Sequence, residues 1–160
     1  MANKKKINLF IVAGQTIEVA VYVDTSKDTP RILSLEDEKK LEAKLPDTIN
    51  KYTTKWAVPN YGLHTWIEHQ AWIHLIDGKL EFDMLRHARA RVQALLVDWS
   101  VVEEDPSKKL IRIDERMPDG TVVKLLNPSS MQMIAEAWPQ LMDTFYEKAI
   151  LALYPRNEKN

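Results

Sequence analysis

The sequence predicts an α+β fold with a helical core of three to five helices, an N-terminal β-hairpin and a second short hairpin before the C-terminal helix. Residues 17–23 alternate apolar and polar side chains, which is the period of a half-buried strand. Residues 83–103 place apolar side chains three and four positions apart, which is the period of a helix with one buried face. The 160 residues suffice for a real core, so we expect residues 1–160 to form a single domain.

The predicted helix over residues 83–103 is the expected centre of the core. Asp83 stands just before the apolar series and is the expected N-cap, because its short side chain can accept from the first free backbone amides. We expect Leu95 and Trp99 to be almost fully buried. The apolar stripe that should face the core contains Leu85, Ala88, Val92, Leu95, Leu96, Trp99 and Val102.

The N-terminal hairpin is predicted from two apolar segments, residues 7–12 and 17–23. Residues 13–16 supply the turn, where Gly14 can adopt a positive φ angle. Residues 24–30 are polar and are expected to form a loop.

A charged surface helix is predicted over residues 35–45, with Ser34 as its cap. Pro46 is expected to end this helix or to open a further short helix that runs through Trp56. A break is predicted at residues 59–62, which contain Pro, Asn and Gly.

A third helix is predicted over residues 63–76, where apolar side chains surround most of the circumference. Such a helix is buried between other elements or covered by a partner. Gly78 is expected to end it, and the short link to Asp83 predicts an antiparallel helix pair.

The C-terminal third is predicted to contain a hairpin followed by two helices. Strands over residues 110–113 and 121–126 are joined by a turn that contains Asp119-Gly120. Asn127 and Pro128 are a helix start, and an apolar series from residue 131 to 154 predicts one packing face with a kink or restart at Pro139. Residues 155–160 form a polar tail.

Composition and motifs argue against several functional classes. The net charge is −1, there are no cysteines, and no segment approaches the ~20 apolar residues of a membrane span. Asn8, Gly14 and Glu18 interrupt the N-terminal apolar run, so we expect no signal peptide and a soluble cytoplasmic protein. The four glycines form no phosphate-binding or nucleophile motif, so no cofactor and no catalytic residue is predicted.

The histidines do not predict a metal site. His64, His69 and His74 recur every five residues, about 140° apart on a helix, and cannot converge on one ion. His64 and Glu68 lie one turn apart and could hold one edge of a site, but a surface or capped pair explains them better.

Partner binding is the remaining class of function that the residues suggest. Trp66 and Trp72 cannot share one helix face, so we expect one to fill the core and the other to meet a partner, unless both are core. Arg86 and Arg89 could rim that groove and bind carboxylates of a bound helix. Nucleic acid is the less favoured partner, because Arg91 lies on the other side of the stripe from Arg89 and acidic residues surround all three arginines.

The C-terminal half resembles phage tail assembly chaperones. Residues 95–105, LLVDWSVVEED, are similar to the apolar helix that runs into a Trp-Asp/Ser-aliphatic stretch and an acidic turn in that family. Residues 127–131, with the helix through Phe145, are similar to the family's closing helix, and the predicted hairpin over residues 110–126 is an addition to its pattern.

The resemblance implies a non-enzymatic protein of the infected bacterial cytoplasm. It would coat the apolar tape-measure protein, recruit tail-tube subunits and leave before the virion matures. The family also implies that a frameshift-extended form can exist. Self-association is a further possible interaction. The alternatives are a head-tail connector or other structural tail component that stays in the particle, and a small enzyme or nucleic-acid-binding protein.

Overall fold

The structure, a computed structural model, describes residues 14–100 and 106–154, which form an α+β fold as predicted. The first arm of the predicted N-terminal hairpin, the end of the predicted helix over 83–103 and the tail over 155–160 lie outside the described residues. The strands are β1 (Thr16–Asp24), β2 (Arg31–Ile32), β3 (Ile49–Ala57), β4 (Trp72–His74), β5 (Leu80–Phe82), β6 (Leu96–Trp99), β7 (Arg112–Arg116) and β8 (Val122–Leu126). The helices are α1 (Leu35–Lys39), α2 (Tyr61–Ala71), α3 (Met84–Leu95), α4 (Pro128–Ala135) and α5 (Pro139–Leu153).

A four-stranded antiparallel sheet has the order β2-β1-β3-β6. The predicted strand over residues 17–23 is confirmed as β1, and Gly14 before it has φ +83°. β1 pairs along its whole length with β3, from Thr16 opposite Ala57 to Asp24 opposite Ile49. The alternative prediction of a short helix that starts at Pro46 and runs through Trp56 is therefore wrong. Trp56 is fully buried in the sheet, and its Nε1 donates to Thr54 Oγ1 at 2.7 Å.

The predicted surface helix is present but short. Ser34 caps α1, since its Oγ accepts from the Asp37 amide at 3.2 Å. The helix ends at Lys39 instead of Leu45, and none of its residues is buried. Packing adds little to a helix with so few apolar anchors.

α2 begins and ends differently from the predicted helix over residues 63–76. Asn60 caps it by accepting from the Leu63 amide at 3.0 Å. It ends at Ala71, and residues 72–74 form β4, which pairs with β5 in a hairpin. Gly78, with φ +81°, therefore lies in a hairpin turn and does not cap a helix.

α3 is capped as predicted, because Asp83 Oδ1 accepts from the amides of Leu85 and Arg86 at 2.9 and 3.0 Å. However, it ends at Leu95, and the residues after it form β6 against β3. The predicted continuation of the helix beyond Leu95 is wrong. Trp99 is only half-buried, contrary to expectation, and its Nε1 donates to the Lys108 carbonyl at 2.8 Å.

The end of α3 is held by a residue from another element. The Arg112 guanidinium donates to the carbonyls of Ala94, Leu96 and Lys124, each at 2.9 Å. Burial lowers the pKa of Arg112 from its ordinary value. Two of these bonds satisfy carbonyls at the end of α3, and the third joins Arg112 to Lys124 of β8, so Arg112 stabilises the transition from α3 to β6.

α3 buries part of the predicted stripe and a further set of residues outside it. Leu95 is almost fully buried as predicted, and His87, Ala90 and Ala94 are buried as well, whereas Leu85 is 84% exposed. At about 100° per residue, Leu85 lies nearly opposite His87, Ala90 and Ala94 on the helix. α3 packs against α2, where Ala71 is also fully buried, so small side chains line the contact.

The rest of the core joins the sheet to the C-terminal elements. α5 packs on β1, and β8 packs on α3. The hairpin of β7 and β8, the Asn127 cap of α4 and the helix restart at Pro139 are all confirmed. The fully buried large side chains come from the four-stranded sheet, from β8 and from the helices, and they include Trp56, Phe145, Ile67, Leu95, Leu96, Leu125, Leu126 and Val21.

Candidate functional site

Six large apolar side chains within residues 72–85 are exposed. They belong to the hairpin of β4 and β5 and to the first turn of α3. We call this the apolar surface, and its members are Trp72, Leu75, Ile76, Leu80, Met84 and Leu85. A concentration of exposed apolar residues in one short segment is typical of a surface that a partner covers.

Aromatic contacts hold the hairpin against the helices. Trp72 lies opposite Phe82 in the strand register, and their rings meet edge to face with centroids 5.2 Å apart. The Phe82 ring is in turn 5.0 Å from the His87 ring, and His87 Nε2 lies 2.9 Å from Glu68 Oε1. The Asp83 amide donates to the Ala71 carbonyl at 2.8 Å and closes the base of the hairpin. The exposed apolar side chains of the hairpin therefore lie on an element that these contacts hold in place.

The two predicted partner-binding tryptophans divide as expected between core and surface. Trp66 of α2 is 5% exposed, and Trp72 is 47% exposed. The reason differs from the prediction, because Trp72 belongs to β4 and not to the far side of a long helix. The role of Trp72 in binding stays a prediction, whereas Trp66 is a core residue.

Arg86 and Arg89 line a shallow depression next to the apolar surface. Its volume is about 260 Å³, and the other lining residues are Gln70, Ala90 and Gln93. Arg86 Nε lies 3.9 Å from Asp83 Oδ2, and within residues 14–100 and 106–154 Arg89 has no ion pair. The structure therefore brings the two predicted arginines together, with amide side chains around them.

Arg91 belongs to a different environment. Its guanidinium lies 4.8 Å from the centroid of the Tyr154 ring, and Nη1 donates to the Tyr146 hydroxyl at 3.5 Å. Burial raises the pKa of Tyr154 above its ordinary value, and the positive charge of Arg91 opposes that rise. Arg91 thus packs between α3 and α5, away from the depression.

His64 and Glu68, which could have formed one edge of a metal site, do not lie together in a site. His64 is exposed, and Glu68 contacts His87 of α3 instead. Among the described residues, no three His, Cys, Asp or Glu side chains gather as a metal site would require. Sequence reasoning missed the contact between Glu68 and His87 because nineteen positions separate them and no local pattern links them.

The exposed hairpin was also missed. The signal present in the sequence was Asp77-Gly78 between two apolar segments, which is a hairpin turn signal as well as a helix stop. No protein-family model, curated protein or solved structure matches this chain. In the described part of the chain, no helix has the length and apolar character needed to cross a bilayer.

Proposed function

We propose that this chain is a phage tail assembly chaperone. It would bind apolar helices of the tape-measure protein, recruit tail-tube subunits and perform no catalysis, in the cytoplasm of an infected bacterium. The observation that supports the proposal best is the apolar surface of residues 72–85, which is large for one short segment and is braced by the contact of Trp72 with Phe82. The sequence resemblance of residues 95–105 and 127–131 adds the phage context.

The apolar surface suits an amphipathic helix as ligand. Leu80 of β5 and Met84 and Leu85 in the first turn of α3 are all exposed, so both elements offer apolar side chains to a ligand. A helix that is apolar along one face binds by laying anchors spaced three and four residues apart into such a surface. A tape-measure protein that is not yet assembled would present many helices of that kind.

Capture of a tape-measure fragment tests the proposal. The double variant Ile76→Ser/Leu80→Ser removes two exposed anchors, each worth about 1.5–3 kcal/mol when buried in a complex. We expect the affinity for the fragment to fall at least about tenfold, with an unchanged melting midpoint. The matched control is Leu151→Ser, which removes an exposed apolar side chain of α5 outside the surface. Equal loss in the control, or no loss in the double variant, would contradict the proposal.

The two tryptophans provide an internal comparison. Trp66→Ala should lower the free energy of unfolding by about 3–5 kcal/mol, because the ring is buried. Trp72→Ala should reduce capture of the fragment while the protein stays folded, with a loss of only about 0.5–1.5 kcal/mol in the free energy of unfolding from the contact with Phe82. If Trp72→Ala unfolds the protein, the side chain is structural and its role in binding is wrong.

The presence or absence of this chain in the mature virion distinguishes a chaperone from a connector or other tail component. Mass spectrometry of infected-cell lysate and of purified virions should find the chain in lysate only. A stoichiometric amount in virions would support the structural alternative. Binding of DNA or RNA oligonucleotides at physiological salt, with no capture of the tape-measure fragment, would support the nucleic-acid alternative.

A further inference from the structure

We propose that the depression around Arg86 and Arg89 binds carboxylates of the helix that occupies the apolar surface, so that the ligand is an acidic amphipathic helix. This inference rests on the proposed function for the site and adds the charge of its ligand. The occupant to which we commit is a helix that carries glutamate or aspartate beside its apolar stripe.

The first argument is charge complementarity. Arg86 and Arg89 are three residues apart on α3, which places their Cβ atoms about 5–6 Å apart on the exposed side. Neither aspartate nor glutamate belongs to the described lining, which otherwise consists of Gln70, Ala90 and Gln93. Arg86 has only the distant contact with Asp83 at 3.9 Å, and Arg89 has none among the described ion pairs. Each of these two guanidinium groups can donate two parallel N–H hydrogen bonds to a carboxylate.

The second argument is continuity with the apolar surface. Leu85 lies one turn before Arg89 on the exposed side of α3, and Arg86 lies about 100° around the helix from Leu85, where it lines the depression with Arg89. A bound helix that places an apolar anchor on Leu85 therefore brings its neighbouring side chains over the arginines. Its acidic residues should lie one or two turns from its apolar anchors.

The surroundings favour a protein carboxylate over a nucleic-acid phosphate. The depression provides two positive charges, whereas a nucleic-acid footprint needs positive charge spread along several phosphates. Asp77, Glu81 and Asp83 lie in the adjoining hairpin and helix cap, where they would repel a polyanion along its whole length. A bound helix avoids this repulsion only if its acidic side chains are confined to the side that faces Arg86 and Arg89. Two glutamine amides in the lining can donate to a carboxylate without adding charge.

The test uses two synthetic 18-residue amphipathic helices with the same leucine stripe. One carries a pair of glutamates spaced three residues apart beside the stripe, and the other carries glutamines there. We expect the glutamate peptide to bind about tenfold more tightly in low salt, with most of that preference lost at high salt. The variant Arg86→Gln/Arg89→Gln should bind both peptides equally. Arg116→Gln, which removes an exposed arginine of β7 outside the depression, should keep the preference.

Reversing the charge at position 89 should create binding to a peptide of opposite charge. A merely structural role for Arg89 would not produce that new binding. Arg89→Glu should prefer a peptide with lysines in place of the glutamates. Equal binding of the two original peptides, binding of neither, or a preference that survives in Arg86→Gln/Arg89→Gln would overturn the inference. Tight binding of a 20-mer oligonucleotide that those substitutions abolish would overturn it too.

The outcomes separate this inference from the proposed function. If the glutamine peptide binds and loses affinity in Ile76→Ser/Leu80→Ser, the apolar surface is active whether or not the arginines select charge. If the glutamate preference is present but the tape-measure fragment is not captured, the carboxylate site stands and the chaperone proposal fails.

Discussion

Two leucines of α3 give opposite predictions for the same substitution. Leu95 is fully buried, and Leu85, ten positions earlier, is 84% exposed. Leu95→Ala removes a core side chain and leaves a cavity, so the free energy of unfolding should fall by about 2–5 kcal/mol. Leu85→Ala removes a side chain that is mostly in water, and its effect should stay within about 0.5 kcal/mol.

Equilibrium unfolding in urea, followed by far-UV circular dichroism, measures both differences. The pair is internally matched, because both changes are Leu to Ala in one helix and helix propensity favours alanine in both cases. The sequence pattern places both leucines on one buried stripe and thus predicts similar losses. If Leu85→Ala costs as much as Leu95→Ala, α3 faces the core with that stripe, and the apolar surface loses one of its members.

Three further predictions concern the end of α3, Tyr154 and metals. Arg112→Met should lower the free energy of unfolding in urea by about 2–4 kcal/mol, because three carbonyls lose a charged donor, whereas Arg116→Met should change it by less than about 0.5 kcal/mol. The pKa of Tyr154 is raised in the folded state, so its stabilising effect is complete below pH 10.0 and is lost as pH rises through the folded pKa. Tyr154→Phe should flatten the decline in unfolding free energy that begins as pH rises above 10.0, and an unchanged slope would contradict this assignment. EDTA should leave the thermal midpoint unchanged, whereas a clear drop would indicate a structural metal.

Local signals in the sequence located the beginnings of helices well. Ser34, Asp83 and Asn127 each cap a helix in the structure, because a cap depends on one side chain and the amides two or three residues after it. The turn at Gly120 and the restart at Pro139 depend on equally local geometry. These features were predictable because no distant residue decides them.

The ends of the helices were not predictable in the same way. α3 ends where Arg112, seventeen positions beyond Leu95, donates to its last carbonyls, and the residues that follow are recruited as an edge strand beside β3. A helical period in the sequence contains no information about either contact. Tertiary contacts therefore overruled the pattern.

The buried side of α3 was predicted only in part, for a related reason. Its apolar period correctly favoured Leu95 as a core residue, but α2 packs against the side that contains Ala90 and Ala94, and Leu85 is left exposed. Small side chains allow the two helices to approach closely, and this advantage does not appear in a count of apolar positions. Leu85, the first residue of the stripe that the sequence assigned to the core, thus became part of the candidate binding surface, whereas Leu95 of the same stripe is in the core.

Hydrogen exchange tests the central claim that residues 72–85 bind an apolar helix. Exchange would be measured for the chain alone and in complex with a co-expressed tape-measure fragment. We expect slower exchange across β4, β5 and the first turns of α3, with no change in the hairpin of β7 and β8 on the same chain. Unchanged exchange over residues 72–93, with protection confined to other elements, would contradict the claim.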